Sequence, residues 1–480
     1  MPHDNQISQN DFDAAGFSAH TFCTMKWDQL LCEDRIRPTT KQPEERRGEI
    51  HRDYGRVVFS SPVRRLQDKA QVFPLETIDA VRTRLTHSLE VSSVSRGLAN
   101  VVAKELLGKG EINLEQAYDI ETVAATCGLV HDLGNPPFGH AGEMAIQEWF
   151  RKQPDEFWSF DTTSTRRYKN DMENYEGNAQ TIRLLGTLQI LSDRTGLNLT
   201  FATLSAAIKY TSNSSEIGLN GRQSKKKLGY FTSEESLVKK VQNATGTGDA
   251  RNPITFLVEA SDDMVYSVVD IEDGIKKGVI SWTEVRDILE RKKSVISESL
   301  YDECVLKAEK RINEAPFPIS GRNWQEAVSQ YFRTLVIVKG HDAVRKAFFK
   351  NYKQIMDGSY ENELLYDSEV SSLYRVLKDE IGFKHIYNAK ENLRLEVLGR
   401  NVIQFLMQTF WESKQSGKSK SFPEKIYHLL SKNYRTVFEN PVGDEVGLPV
   451  EYRKALLVTD YICGMTDSFA LNLRRELQHG

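Results

Sequence analysis

The chain has 480 residues, 39% hydrophobic and 27% charged, which suffices for a large buried core and for two or three lobes. Its 63 Lys and Arg against 67 Asp and Glu leave a net charge of −4, which excludes a global pull toward nucleic acid or anionic membrane but not local basic patches. No apolar run approaches bilayer-spanning length, and Met1-Pro-His-Asp-Asn-Gln lacks a charged-then-apolar signal pattern, so a cytoplasmic location is expected.

Residues 1–45 read as a polar lead-in, with Trp27 and Leu30-Leu31 as docking residues. From Tyr54 onward apolar positions recur at helical spacing and strand-like alternation is scarce, so the fold is read as mainly α. The stretch Thr83 to Leu107 shows it, with Leu85, Leu89, Val94, Leu98, Val101 and Leu106 on one stripe. It carries Arg84 and His87. A second apolar helix (Ile120, Val123, Ala124, Cys127, Val130) runs into His131-Asp132 and breaks at Gly134 and Pro136-Pro137. A new helix then opens with His140 and Glu143, three apart and so on one face.

Three stretches interrupt the helical pattern. Residues 151–175 read as a long loop or lid, and 211–250, with Lys225-Lys226-Lys227, as an irregular insertion that accommodates a hairpin. Residues 412–424 read as an exposed linker. Between them, Glu259-Ala-Ser-Asp262-Asp263-Met-Val-Tyr266-Ser-Val-Val-Asp270 is a third helix, with Asp262, Tyr266 and Asp270 four apart. The division expected is a lead-in (1–45), a catalytic core (46–275) with the insertion, and a helical C-terminal lobe (276–480).

His87 alone reads as a satisfied buried histidine, and the acidic stripe alone as a solvated face. Together with His131-Asp132 they change meaning. A carboxylate and an imidazole at the end of an apolar helix are costly to bury unless something charged sits there. Two imidazoles and two carboxylates, His87, His131, Asp132 and Asp262, suit one divalent ion such as Mn²⁺ or Mg²⁺. The five cysteines are scattered without CxxC spacing, which argues against a zinc-thiolate site or a disulfide framework. No GxxxxGK[ST] run supports a P-loop reading. Gly340-His341-Asp342 is a second His-Asp pair, but it lacks the Gly-Asn-Pro-Pro-Phe-Gly-His continuation and is assigned to ordinary surface or packing.

The ordered ligands resemble the H…HD…D signature of the HD-domain metal-dependent phosphohydrolases. Gln71-Val72, Arg82-Thr-Arg-Leu-Thr-His87, His131-Asp-Leu-Gly-Asn-Pro-Pro-Phe-Gly-His140, Glu176-Gly-Asn178-Ala-Gln180 and Asp460-Tyr-Ile-Cys-Gly-Met-Thr-Asp467 are similar to the deoxyguanosine triphosphate triphosphohydrolases, over nearly the whole chain. That resemblance implies an HD-domain helical core and metal-dependent hydrolysis of dGTP to deoxyguanosine and inorganic triphosphate. It implies His140 and Glu143 as the catalytic pair. Arg84, Lys209, Tyr210 and Lys227 would stand near the phosphates, with Lys226 an open alternative to Lys227. Tyr266 and Asp270 would recognise a deoxyribose, Gln71 and Val72 sugar and base, and Asn178 the same pocket. It further implies a homo-hexamer, with Arg453-Lys454 and the Asp460–Asp467 segment reaching a neighbour's pocket. Single-stranded DNA would be a regulator, contacting Lys225–Lys227 and Lys414 to Lys420. A broader dNTP triphosphohydrolase, another HD nucleotide phosphohydrolase and a nucleotide-sensing or nucleic-acid-binding protein are the alternatives.

Overall fold

The computed structural model describes residues 24–38, 47–76, 78–158, 166–189, 193–414 and 421–479. Among these the chain is almost entirely helical, with isolated β-bridges and no extended strand. Two antiparallel helices, α1 (Arg84–Gly108) and α2 (Leu114–Val130), form the central pair, and both begin in reciprocal capping boxes, Thr83 with Thr86 and Asn113 with Gln116. Their close approach depends on small residues. A Cβ on Gly128 would sit 2.8 Å from the Ser92 Cα.

After the Pro136-Pro137 turn, α3 (Gly139–Arg151) leaves in a new direction from Phe138, whose φ of 62° lies in the left-handed region. The short α4 (Gly177–Arg183) follows. Next comes the long α5 (Pro253–Lys277), capped by the Asn252 side chain, with Pro at N1 and ended by Gly278 at φ 79°. Two apolar cores result. One joins α1, most of α2, α5 and α6 (Gly321–Lys350). The other joins the end of α2 with α3, α7 (Lys390–Trp411) and α8 (Val450–Cys463). The helices after residue 276 are thus shared between both cores, and α2 passes from the first into the second. Its polar end lies where they meet.

The lead-in docks as its apolar residues require: Trp27, Leu30 and Leu31 are buried, and Trp27 Nε1 donates to Tyr352 Oη at 2.9 Å. Residues 211–250 form no hairpin. Three 3-10 turns and a helix over Glu235–Thr245 are joined by a single parallel bridge between Ser212 and Leu228. The reason is local: Gly218 and Gly221 take positive φ and Lys225 turns inward to Asp249 and Glu216, so the two arms never run antiparallel. The described parts of 151–175 are likewise not an open loop. Residues 166–173 are helical and buried Asp171 accepts from Tyr452 Oη at 2.5 Å and from the Thr232 amide at 2.7 Å. Residues 415–420 of the expected linker lie outside the described residues. No helix of the described residues is long and apolar enough to cross a membrane.

Candidate active site

His87 lies in the first turn of α1, His131 and Asp132 just beyond the end of α2, and Asp262 in the third turn of α5. The fold brings all four together. Asp262 Oδ1 is 3.1 Å from His87 Nε2 and 3.4 Å from His131 Nε2, which is itself 3.6 Å from Asp132 Oδ2. A donor atom from each of His87, His131 and Asp132 lies within 4.8 Å of the others. Donor atoms held about 2.1 Å from one ion stand about 3.0–3.5 Å apart, so this set is spaced to share a cation.

The tautomer agrees. His131 Nδ1 donates to the Gly128 carbonyl at 2.8 Å, which leaves Nε2 as the lone-pair nitrogen, buried and without a hydrogen-bond partner. Burial works against a charged imidazole, but Asp132 and then Asp262 outweigh it and raise His131 to about 9, so without an ion a proton occupies Nε2, the position a cation would take. Burial also opposes the Asp262 charge, and His131 and His87 hold that carboxyl well below its usual range. The two carboxylates thus stay ionised in a buried place beside positive charge, the environment a divalent ion in place of that proton would meet.

Asp132 has further supports. Arg84 Nη1 pairs with its Oδ2, and Asn135 Nδ2 donates to its Oδ1 at 2.7 Å. The turn carrying Asn135 packs too tightly for a side chain at Gly134, where a Cβ would fall 2.2 Å from the Gly177 carbonyl oxygen and 2.3 Å from the Thr181 nitrogen. We expect Gly134→Ala to cost about 2–4 kcal/mol, read as a lower urea midpoint at unchanged slope. An unchanged midpoint would show that α4 yields freely.

The centre opens onto a cavity of about 600 Å³, within the usual range for small-molecule sites. Gln71, Val72, Arg84, Asp132, His140 and Glu143 line it on one side, with Asn178, Lys227, Tyr266 and Asp270 completing the set expected there. Two buried acceptors in this wall, Gln71 Oε1 and Asp270 Oδ1, have no hydrogen-bond partner within the protein. Lys209 lines a smaller adjoining cavity of about 70 Å³ with His131, Asp132 and Asp262. Tyr210 is buried beside it, ring centroid 5.9 Å from the Lys209 nitrogen, and lines neither cavity.

His140 is exposed, whereas Glu143 is buried, with His140 Nδ1 3.9 Å from Glu143 Oε1. Burial, then the Glu176 charge, raise Glu143 to about 8, and burial lowers His140. Between the two candidate lysines, Lys227 faces the cavity. Its Nζ is 3.1 Å from Glu176 and 3.9 Å from Glu143. Lys225 is buried against Asp249 and Glu216, so that part of the basic run is unavailable as a DNA surface.

Sequence reasoning missed Glu176 as a site residue, although it stands in the quoted Glu176-Gly-Asn178 run. It holds Lys227 and accepts from Asn178 Nδ2 at 2.9 Å. It also missed Tyr387, Asn388, Asn392 and Glu396, which line the cavity from more than a hundred residues further along the chain and carry no motif. Asp460 and Asp467 act within their own chain. Asp460 pairs with buried Arg183 at 2.8 Å, and Asp467 accepts from the amides of Phe138 at 2.8 Å and Ala70 at 3.0 Å. They fasten α8 to the end of α4 and the chain after it to the loops at Phe138 and Ala70.

Residues 364–476 match the model of a phosphohydrolase-associated domain. A deoxyguanosinetriphosphate triphosphohydrolase-like protein of Listeria monocytogenes is 37% identical, over 94% of this chain and 99% of its own length. The deoxyguanosinetriphosphate triphosphohydrolases of Serratia proteamaculans and Yersinia pestis are each 30% identical, over 88% of this chain and 92% of theirs. With such similarity along almost its full length, the chain belongs to the deoxyguanosinetriphosphate triphosphohydrolase family and is a phosphohydrolase.

Proposed function

We propose that this enzyme hydrolyses dGTP to deoxyguanosine and inorganic triphosphate by breaking the bond between the α-phosphorus and the 5′ oxygen. The observation that carries the proposal is the meeting of His87, His131, Asp132 and Asp262 beside a cavity that Asp132 lines together with His140, Glu143, Tyr266 and Asp270. These four would hold a divalent cation such as Mn²⁺ or Mg²⁺. When bound, the ion offsets phosphate charge and makes the phosphorus more open to attack.

The chain's own groups supply the rest. Glu143 orients His140, and between them they take a proton from the attacking water or return one to the leaving 5′ oxygen. Arg84, Lys209 and Lys227 meet the triphosphate charges. The unpartnered Asp270 oxygen accepts from the 3′-hydroxyl, and Tyr266 closes the space a 2′-hydroxyl would need. Gln71 and Val72 face sugar and base. A Glu396 carboxylate in the wall suits the N–H donors of guanine better than the corresponding edge of adenine. A homo-hexamer in the cytoplasm accompanies this reading. Lys226 and Lys414 remain as cations for single-stranded DNA.

Product analysis with each of the four dNTPs and Mn²⁺ or Mg²⁺ tests it. The expected result is deoxyguanosine and triphosphate in equal amounts, with dGTP fastest. Release of pyrophosphate or orthophosphate would sink the proposal. Equal rates on all four dNTPs would put the broader dNTP triphosphohydrolase in its place.

A further inference from the structure

Tyr266 does not stand alone in the cavity wall. The Lys378 ammonium lies 5.3 Å from its ring centroid and 5.2 Å from that of Tyr366, and Nζ donates to Tyr366 Oη at 3.4 Å. The Lys378 ammonium thus lies against both rings and ties Tyr266 to Tyr366. Among the described residues Lys378 forms no ion pair, and its charge lies against the two rings with the Asp263 carboxylate nearby. The three side chains are half-buried.

The backing is itself fixed. Glu361, five residues before Tyr366, accepts from Arg222 Nε at 2.6 Å and from both the amide and hydroxyl of Ser224 at 2.9 Å. Asp367, next to Tyr366, accepts from Asn351 Nδ2 at 2.9 Å and Tyr360 Oη at 3.2 Å. A tyrosine on a helix has two accessible χ1 wells, and a ring facing an open cavity can swing between or within them. Backing the ring with the Lys378 ammonium restricts that freedom.

We infer that Tyr366 and Lys378 are positioning residues that hold the Tyr266 ring rigid, and that this rigidity sets the choice between a deoxyribose and a ribose. The inference rests on the proposed reading of the cavity as a deoxynucleotide site. A 2′-hydroxyl needs room for a whole further heavy atom, which a ring free to swing between wells gives and a ring backed by Lys378 does not. Neither residue lines the cavity, so both act through Tyr266.

The experiment compares Tyr366→Phe and Lys378→Met with the native enzyme, using dGTP and GTP as substrates and GTP as a competitor of dGTP. Loosening the tether is expected to leave kcat/KM for dGTP within about threefold and to raise relative use of GTP about tenfold in both variants, with tighter competition by GTP. A ratio that stays put in both, or dGTP and GTP falling in parallel as simple structural damage would make them, overturns the inference. A native enzyme that releases no triphosphate from dGTP would instead overturn the reading beneath it.

Discussion

Asp262→Ala is expected to lower triphosphate release from dGTP about a thousandfold or more, with the helical far-ultraviolet signal retained and affinity for Mn²⁺ lost in a direct titration. Asp262 is the cleanest of the four proposed ligands to remove. His87 and His131 both face its Oδ1, at 3.1 Å and 3.4 Å, so its loss takes the shared oxygen from the centre of the group. Asp132 is less suitable, because it also neutralises buried Arg84 and accepts from Asn135, and its removal would strand a guanidinium. A variant within tenfold of native turnover would show that the three remaining residues do not work as one site with Asp262.

The second large effect is at Glu143. Glu143→Gln is expected to cost about 10²–10⁴ in kcat/KM for dGTP. The pH dependence follows from the buried carboxyl. Burial and Glu176 raise Glu143 to about 8, and in the proposed role of helping to take the proton from water it acts only when ionised. Native kcat/KM should therefore climb with pH up to about 8, and the glutamine variant should lose that limb. Stability moves the opposite way. A carboxyl raised in the folded state contributes stability that is fully present below its unfolded pKa and lost as pH rises through about 8. Above that pH the native enzyme carries a buried charge only partly offset by Lys227, 3.9 Å away, which the glutamine lacks. The variant should therefore melt above the native enzyme at pH 8.5 and close to it at pH 4.5. Lower melting at pH 8.5 would mean that the Glu143 charge is well satisfied in the fold. Stability lost to function in this way is usual where an active site demands a desolvated group.

Much of this could be read along the chain because the chemistry is local. His131-Asp132 before a Gly and Pro-Pro turn, His140 and Glu143 at i and i+3, and Asp262, Tyr266 and Asp270 at four-residue spacing each occupy one helix end or one face. The 3.6-residue repeat then places them without knowledge of the neighbours. The mainly helical class followed from the same periodicity. Tertiary contacts decided the rest. The Lys225-Lys226-Lys227 run offers three equal cations, yet Asp249 and Glu216 draw Lys225 inside and the turn leaves Lys227 toward Glu143 and Glu176. Asp460 and Asp467 looked free to serve a neighbouring subunit, but Arg183 and two loop amides in their own chain take them. The Tyr366 and Lys378 backing of Tyr266, and the wall from Tyr387 to Glu396, come from chain far beyond the motif, carried there by the packing of two cores. Periodicity along a chain tells which face of a helix is polar. Which distant carboxylate or ring meets that face depends on how whole helices cross, and that is settled only when their apolar stripes are buried together.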